Sequence, residues 1–158
     1  MDIPVLDNSI IAERIARNAF EGKFDRAGKP YYEHLKSVAD RVVHNARHRD
    51  YDSLWSVAIL HDLLEDCPEW NEFLLKNIFL ETIVDAVVVL TKGKNEPYED
   101  YITRVLQHDV AVLVKKADLE HNMDITRLSE LTKKDIERLK KYHKAYLRIT
   151  NHLKEGKL

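Results

Sequence analysis

The sequence predicts an all-α domain, and three observations carry that reading. Apolar residues recur at helical spacing through nearly all of the 158 residues. Only 4 Gly and 4 Pro occur, too few for a turn-rich sandwich or a disordered chain. The β-branched run at 84–90 would be one strand with no partner, so it reads as a buried helix.

Asn8 or Ser9 is expected to cap a first helix running to about residue 21. Two Gly and a Pro make 22–30 a loop. A second helix covers about 31–47, with Leu35, Val38, Ala39, Val42, Val43 and Ala46 as its apolar stripe. Asp52 or Ser53 caps a third helix through about residue 64, and Pro68 stops it. Short helices are expected at 69–76 and 81–90. Pro97 suits the first turn of a helix to about residue 107. The next helix, 109–123, is apolar on most of its early face and is expected to be central. Thr132 and Asp135 have capping-box spacing and open a last helix towards residue 154. No repeat or linker interrupts the chain, so 1–158 is expected to be a single domain.

The charge balance is 25 basic against 27 acidic residues, a net of −2, which argues against a dedicated nucleic-acid binder. That average hides a split. Residues 50–90 hold nine acidic side chains and one basic, Lys76, whereas 133–158 hold nine basic and three acidic. The basic last helix reads as a solvated face. A single cysteine, Cys67, excludes a disulfide framework and a Cys-rich zinc site, and its side chain is expected to be buried. No apolar run reaches the ~18 residues of a membrane span, and 1–11 lacks the basic start of a cleavable signal. A cytoplasmic protein that does not engage membranes is expected.

The chemistry concentrates around His61-Asp62, with Glu65 and Asp66 one turn later. These four polar groups sit among Ala58, Leu60, Leu63 and Leu64, where an acidic cluster costs several kcal/mol unless a cation or protons offset it. His34 opens the second helix, and Asp118, with Asn122 one turn on, lies on the helix expected to be most buried. His34, His61, Asp62 and Asp118 would offer one ion two imidazoles and two carboxylates. That mixed N/O set suits Mn²⁺, Fe²⁺ or Zn²⁺. His44, His48, His108, His143 and His152 have no such company and read as surface or structural, and Trp55 and Trp70 read as packing residues.

The order His34 … His61-Asp62 … Asp118 resembles the pattern of the HD-domain metal-dependent phosphohydrolases. Four local blocks, 28–34, 58–66, 90–92 and 114–123, look like the hydrolase domain of RelA/SpoT proteins and the stand-alone small alarmone hydrolases, over about 19–127. The resemblance implies a helical bundle around one divalent ion, most often Mn²⁺, ligated at His34, His61, Asp62 and Asp118. It implies that Glu65 and Asp66 assist hydrolysis and that Asn122 contacts substrate. An ion in such a site lowers the pKa of a bound water, giving a hydroxide that attacks phosphorus. Two acids that close titrate as a coupled pair, so neither is assigned as acid or base. The expected reaction removes the 3′-pyrophosphate of guanosine 3′,5′-bis(diphosphate). Another nucleotide or phosphate ester, or a non-catalytic nucleotide-sensing role, is the alternative.

An anionic nucleotide needs positive charge, and Lys23, Arg26 and Lys29 cluster in the loop before His34. Lys92, Lys115, Arg104 and Arg127 lie near the other blocks, and Tyr31, Tyr98 and Tyr101 could stack on a base or bond a phosphate. Three positions depart from the alarmone-hydrolase pattern. The basic pair of that loop is Asp25-Arg26 here, Ile125 stands where a Thr is usual, and Leu35 replaces the Pro after the first His. All three touch the substrate side. Nothing after Arg127 resembles a synthetase domain, so synthesis is not expected.

Overall fold

The computed structural model describes residues 7–45 and 51–156. The helices among them are α1 (Asn8–Ala19), α2 (Tyr31–Asn45), α3 (Tyr51–Leu60), α4 (Leu63–Asp66), α5 (Glu72–Lys76), α6 (Glu81–Leu90), α7 (Tyr98–Val105), α8 (Asp109–Asn122) and α9 (Lys133–Lys154). No strand occurs among the described residues; Phe24 and Pro30 make one isolated antiparallel bridge. The predicted continuation of α2 to residue 47, and His48, lie outside the described residues.

Two helices organise the rest. α3 packs on α1, α2, α6 and α8, while α8 packs on α2, α6, α7 and α9. The composition of α3 dictates this place, since every residue from Val57 to Leu60 is apolar and buried. Leu35, Leu60 and Leu119 from α2, α3 and α8 are fully buried, each worth roughly 1.5–3 kcal/mol relative to exposure. α8 is central, as its apolar early face requires, with Ala111, Val112, Val114, Ala117 and Leu119 in the core.

The start of α1 differs from expectation. Neither Asn8 nor Ser9 caps it; both are the first helical residues, and Asp7 precedes them without a side-chain cap bond. The cap comes from α3 instead. The Asp52 carboxylate accepts from the Asn8 N–H (3.2 Å), the Ser9 N–H (2.8 Å) and Asn8 Nδ2 (2.8 Å). A side chain distant in sequence thus satisfies helix donors that local sequence leaves open.

The second difference matters more for function. The expected helix through residue 64 ends at Leu60, and α4 starts afresh at Leu63. Asp62 sits at φ −98°, ψ 0°, the bridge region where functional residues concentrate. The break frees His61 to fold its ring back, placing Nδ1 2.7 Å from the Ala58 carbonyl. Glu65 and Asp66 therefore lie on a separate short helix rather than directly above His61 and Asp62 on one axis.

Gly22 and Gly28 bracket the loop before α2 at φ 73° and 75°, positions that favour a residue without Cβ. Between them the Asp25 carboxylate accepts from the Ala27 and Lys29 N–H groups, each at 2.9 Å. His108 caps α8, its Nδ1 accepting from Val110 and Ala111. Thr132 and Asp135 form the expected capping box of α9. Cys67 is fully buried, and Trp55 and Trp70 pack partly buried against the core.

Candidate metal centre

α2, the α3–α4 break and α8 bring His34, His61, Asp62 and Asp118 together. His34 Nε2 lies 3.5 Å from Asp62 Oδ2 and 3.3 Å from Asp118 Oδ1. His61 Nε2 lies 3.1 Å and 3.5 Å from the same two oxygens. One ligand atom each from His34, His61 and Asp62 fits within 4.8 Å, and Asp118 closes the group from α8. Such spacing matches neighbouring donors around one ion with bonds of about 2.0–2.2 Å.

The protonation pattern is that of a cation site. A carbonyl only accepts, so His61 Nδ1 carries the hydrogen and donates to Ala58 O. His61 Nε2 is thereby left as the nitrogen that can bind an ion or a proton; it is buried and has no hydrogen-bond partner. It faces two carboxylates, so a positive charge between them is favoured. The same field acts on protons: burial pushes the His61 pKa down, but Asp62 and Asp118 reverse this and hold it well above its ordinary value. A buried nitrogen aimed at two carboxylates accommodates a divalent ion.

Each ligand candidate is held from behind. Tyr31 donates its hydroxyl to Asp62 Oδ2 at 2.7 Å, and its ring stacks on Phe20 at 4.9 Å. Burial, then the Asp62 charge, pushes the Tyr31 phenol far above its usual range. Lys115 Nζ bonds Asp118 Oδ2 at 2.8 Å, and Asn122 Nδ2 bonds Asp118 Oδ1 at 2.6 Å. Burial disfavours charge on Lys115, but Asp118 raises its pKa well above normal, so it stays an ammonium. Tyr31 and Asn122, expected on substrate, thus orient metal-ligand candidates. His121 went unnoticed in the sequence although it lies three residues beyond Asp118 on one helix face; its Nδ1 is 2.7 Å from His34 Nδ1.

Glu65 and Asp66 are exposed at the mouth, with Glu65 accepting from the Lys92 N–H at 3.2 Å. Partial burial and the charges of Asp62 and Glu65 raise the Asp66 pKa. Both acids, with His34, Asp62 and Asp118, line a cavity of about 550 Å³, within the usual size range of small-molecule sites.

The expected cationic residues divide. Arg26, Lys92 and Arg127 line the cavity; Lys23 and Arg104 do not. Lys23 Nζ bonds the Asp66 carbonyl (2.6 Å) and Cys67 Sγ (3.2 Å), anchoring the end of α4. Arg104 ties Glu96 to the Val89 and Thr91 carbonyls, a brace between α6 and α7. Arg26 makes a two-pronged pair with Asp135, and Arg127 pairs with Asp25. α9 is not wholly a solvated face, because Arg138, Lys141 and Tyr142 line the cavity. Burial, followed by the charges of Lys115, Lys92 and Arg138, lowers the Lys141 pKa. That mutual repulsion marks a wall receptive to an anion.

No family model matches the chain. A structure of a metazoan orthologue of SpoT, described as hydrolysing ppGpp and acting in starvation responses, superposes with a TM-score of 0.76 at 17% identity, covering 94% of this chain and 88% of that one. This chain has the helical fold of that SpoT orthologue. A guanosine-3′,5′-bis(diphosphate) 3′-pyrophosphohydrolase of Haemophilus influenzae is 36% identical over 120 residues, 69% of this chain. The bifunctional (p)ppGpp synthase/hydrolase SpoT of Escherichia coli K12 is 28% identical over the same length. Those relatives are much longer: the chain covers 17% and 16% of them. Against the RelA/SpoT pattern, Asp25 and Ile125 fall on the cavity wall and Leu35 in the core.

Proposed function

We propose that the chain is a metal-dependent phosphohydrolase acting on a small anionic nucleotide, with guanosine 3′,5′-bis(diphosphate) the leading substrate. The observation that carries this reading is His61 Nε2, a buried and unpartnered nitrogen facing Asp62 and Asp118. His34, His61, Asp62 and Asp118 would hold one divalent ion, Mn²⁺ first, with Fe²⁺ or Zn²⁺ as alternatives. Such an ion supplies a water of lowered pKa and neutralises charge on the phosphoryl group.

The chain's own residues do the remainder. The oxygen of water forms a bond to the phosphorus attached to the ribose 3′-oxygen, and the bond between them breaks. A proton passes to the departing 3′-oxygen, so water and guanosine tetraphosphate give GDP and pyrophosphate. Glu65 and Asp66 stand at the mouth to take the proton of the water and return one to the leaving oxygen. Burial and the charges of Asp62 and Glu65 raise the Asp66 pKa, and the two acids share the acid and base roles as a pair. Lys92 and Lys141 offer charge to the substrate's phosphates. The relatives' names support this substrate, and no helix among the described residues is long and apolar enough to cross a membrane, in keeping with a cytoplasmic role.

The test is purified protein with Mn²⁺ against guanosine tetraphosphate and a panel of nucleotides, with pyrophosphate and phosphate release measured. Asp62→Ala should lose both ion and turnover, whereas Glu65→Ala should keep the ion and lose turnover. One observation favours a second substrate class. The Asp25–Arg127 and Arg26–Asp135 pairs neutralise the loop where an alarmone hydrolase carries two free bases. Turnover of another nucleotide or phosphate ester, with none of guanosine tetraphosphate, would select that reading.

A further inference from the structure

Behind His34 runs a chain of polar contacts that the proposed reaction does not use. Asp25 in the α1–α2 loop pairs with Arg127 Nη2. Arg127 Nη1 lies 2.8 Å from His121 Nδ1 and 3.1 Å from the His121 carbonyl. His121 Nδ1 in turn lies 2.7 Å from His34 Nδ1. The direction of these bonds follows from chemistry. A guanidinium has donors and no acceptor, so His121 Nδ1 must present its lone pair to Arg127. Two donors then share that lone pair, and His34 Nδ1 must be the second. His34 therefore carries its hydrogen on Nδ1 and turns Nε2, as a lone pair, towards Asp62 and Asp118.

We propose that Asp25, Arg127 and His121 form a positioning relay that sets the tautomer and ring orientation of His34 for metal binding. This inference rests on the metal-site reading above. It gives Asp25 a role: the carboxylate that displaces a basic residue from the loop anchors Arg127, and its other oxygen, bonded to the Ala27 and Lys29 N–H groups, fixes the loop. The loop before α2 is thereby tied to the metal site, and Arg127 is withdrawn from substrate. Without Arg127, His121 is free to adopt the other tautomer and donate to His34 Nδ1. That would place the His34 hydrogen on Nε2, where it blocks the ion.

Mn²⁺ affinity, measured by titration on folded full-length protein, tests the relay without reference to turnover. His121→Leu removes the acceptor and should weaken binding 10–100-fold, the range seen when partners of ligating histidines are lost. His121→Gln keeps an acceptor oxygen and should stay within about threefold of wild type on that same scale. Arg127→Met should weaken binding in the wild-type background. Melting temperatures taken without metal verify that each variant folds. Equal losses in His121→Leu and His121→Gln, or an Arg127→Met variant that binds Mn²⁺ as tightly as wild type, would overturn the relay and leave a purely structural role. Wild-type protein that takes up no divalent ion would overturn the metal-site reading, and the relay with it.

Discussion

Replacing Lys115 by Met removes a buried charge at nearly constant volume and separates the protein's demand for positive charge from the ion's supply of it. Lys115 Nζ lies 2.8 Å from Asp118 Oδ2, with Lys115 and Asp118 side chains 13% and 5% exposed. At an effective dielectric of about 20, that separation corresponds to a gross attraction of about 6 kcal/mol. Desolvation of the ammonium offsets several kcal/mol of it, and breaking such a pair costs roughly 3–5 kcal/mol by leaving a buried charge uncompensated. The low end applies, because Asn122 Nδ2 still donates to Asp118 Oδ1. Metal-free protein should therefore lose about 3 kcal/mol, a fall in Tm of about 6–12 °C for a chain of this size. An ion bound at Asp118 supplies the missing charge, so at saturating Mn²⁺ the loss should shrink to about half that range. The 1.5 kcal/mol difference requires the variant to bind Mn²⁺ about tenfold more tightly than wild type. Urea unfolding in chelator and in saturating Mn²⁺ measures both values. Equal destabilisation under the two conditions would refute the reasoning, since it would mean the ion does not sit against Asp118.

Tyr31→Phe deletes the hydroxyl bonded to Asp62 and should weaken Mn²⁺ binding about tenfold; an unchanged Kd with a raised substrate KM would return Tyr31 to the substrate side. Arg104→Met should lower Tm without changing KM, since Arg104 braces α6 against α7 away from the cavity. For Asp52, burial raises the pKa, but the bonds from Ser9 and Asn8 outweigh it and the net shift is downward. A depressed folded pKa gives stability that is present above the unfolded value, about 3.9, and lost as pH falls through the folded one. Melting curves should show wild-type Tm dropping below about pH 4 and Asp52→Asn dropping less steeply; parallel profiles would remove Asp52 from the acid response.

Helix placement was legible wherever a local signal sets it. The 81–90 helix matches α6 at both ends, and the Thr132–Asp135 box opens α9 as expected. Elements set by tertiary contacts were not legible. Asp52 has the right chemistry to cap its own helix, yet its carboxylate reaches α1, and periodicity holds no trace of that partner. The break after Leu60 was equally hidden, because the residues from Ile59 to Leu64 continue an excellent helical pattern, and the bond between His61 and the Ala58 carbonyl that accompanies the break leaves no mark in periodicity. For the centre, residue type alone left an exposed polar helix face as the simpler reading, and the resemblance of the motif blocks selected the four residues. The fold brings those two imidazoles and two carboxylates together. Cationic residues carry no such constraint. Lys23 and Arg104 were chosen for nearness to motif blocks, but a long flexible side chain can turn to any nearby carbonyl, as both do.

The charge split along the sequence has a spatial meaning that neither half shows alone. Of the described acidic residues in the acidic stretch, Asp62, Glu65 and Asp66 reach the cavity, while Glu69, Glu72, Glu81 and Asp85 face solvent. Of the basic stretch, Arg138 and Lys141 reach it, while Lys144 and Arg148 pair with Glu99 on α7. α9 is held on α8 through Ala145 and Ile149, which puts its basic first turns over the acidic floor. The cavity lining holds seven carboxylates and six cationic side chains, a net of −1, so a divalent ion on that floor would turn it to +1. Under the proposed function, that surplus of positive charge would favour a multiply phosphorylated substrate, with Lys141 of α9 and the ion both contributing to it.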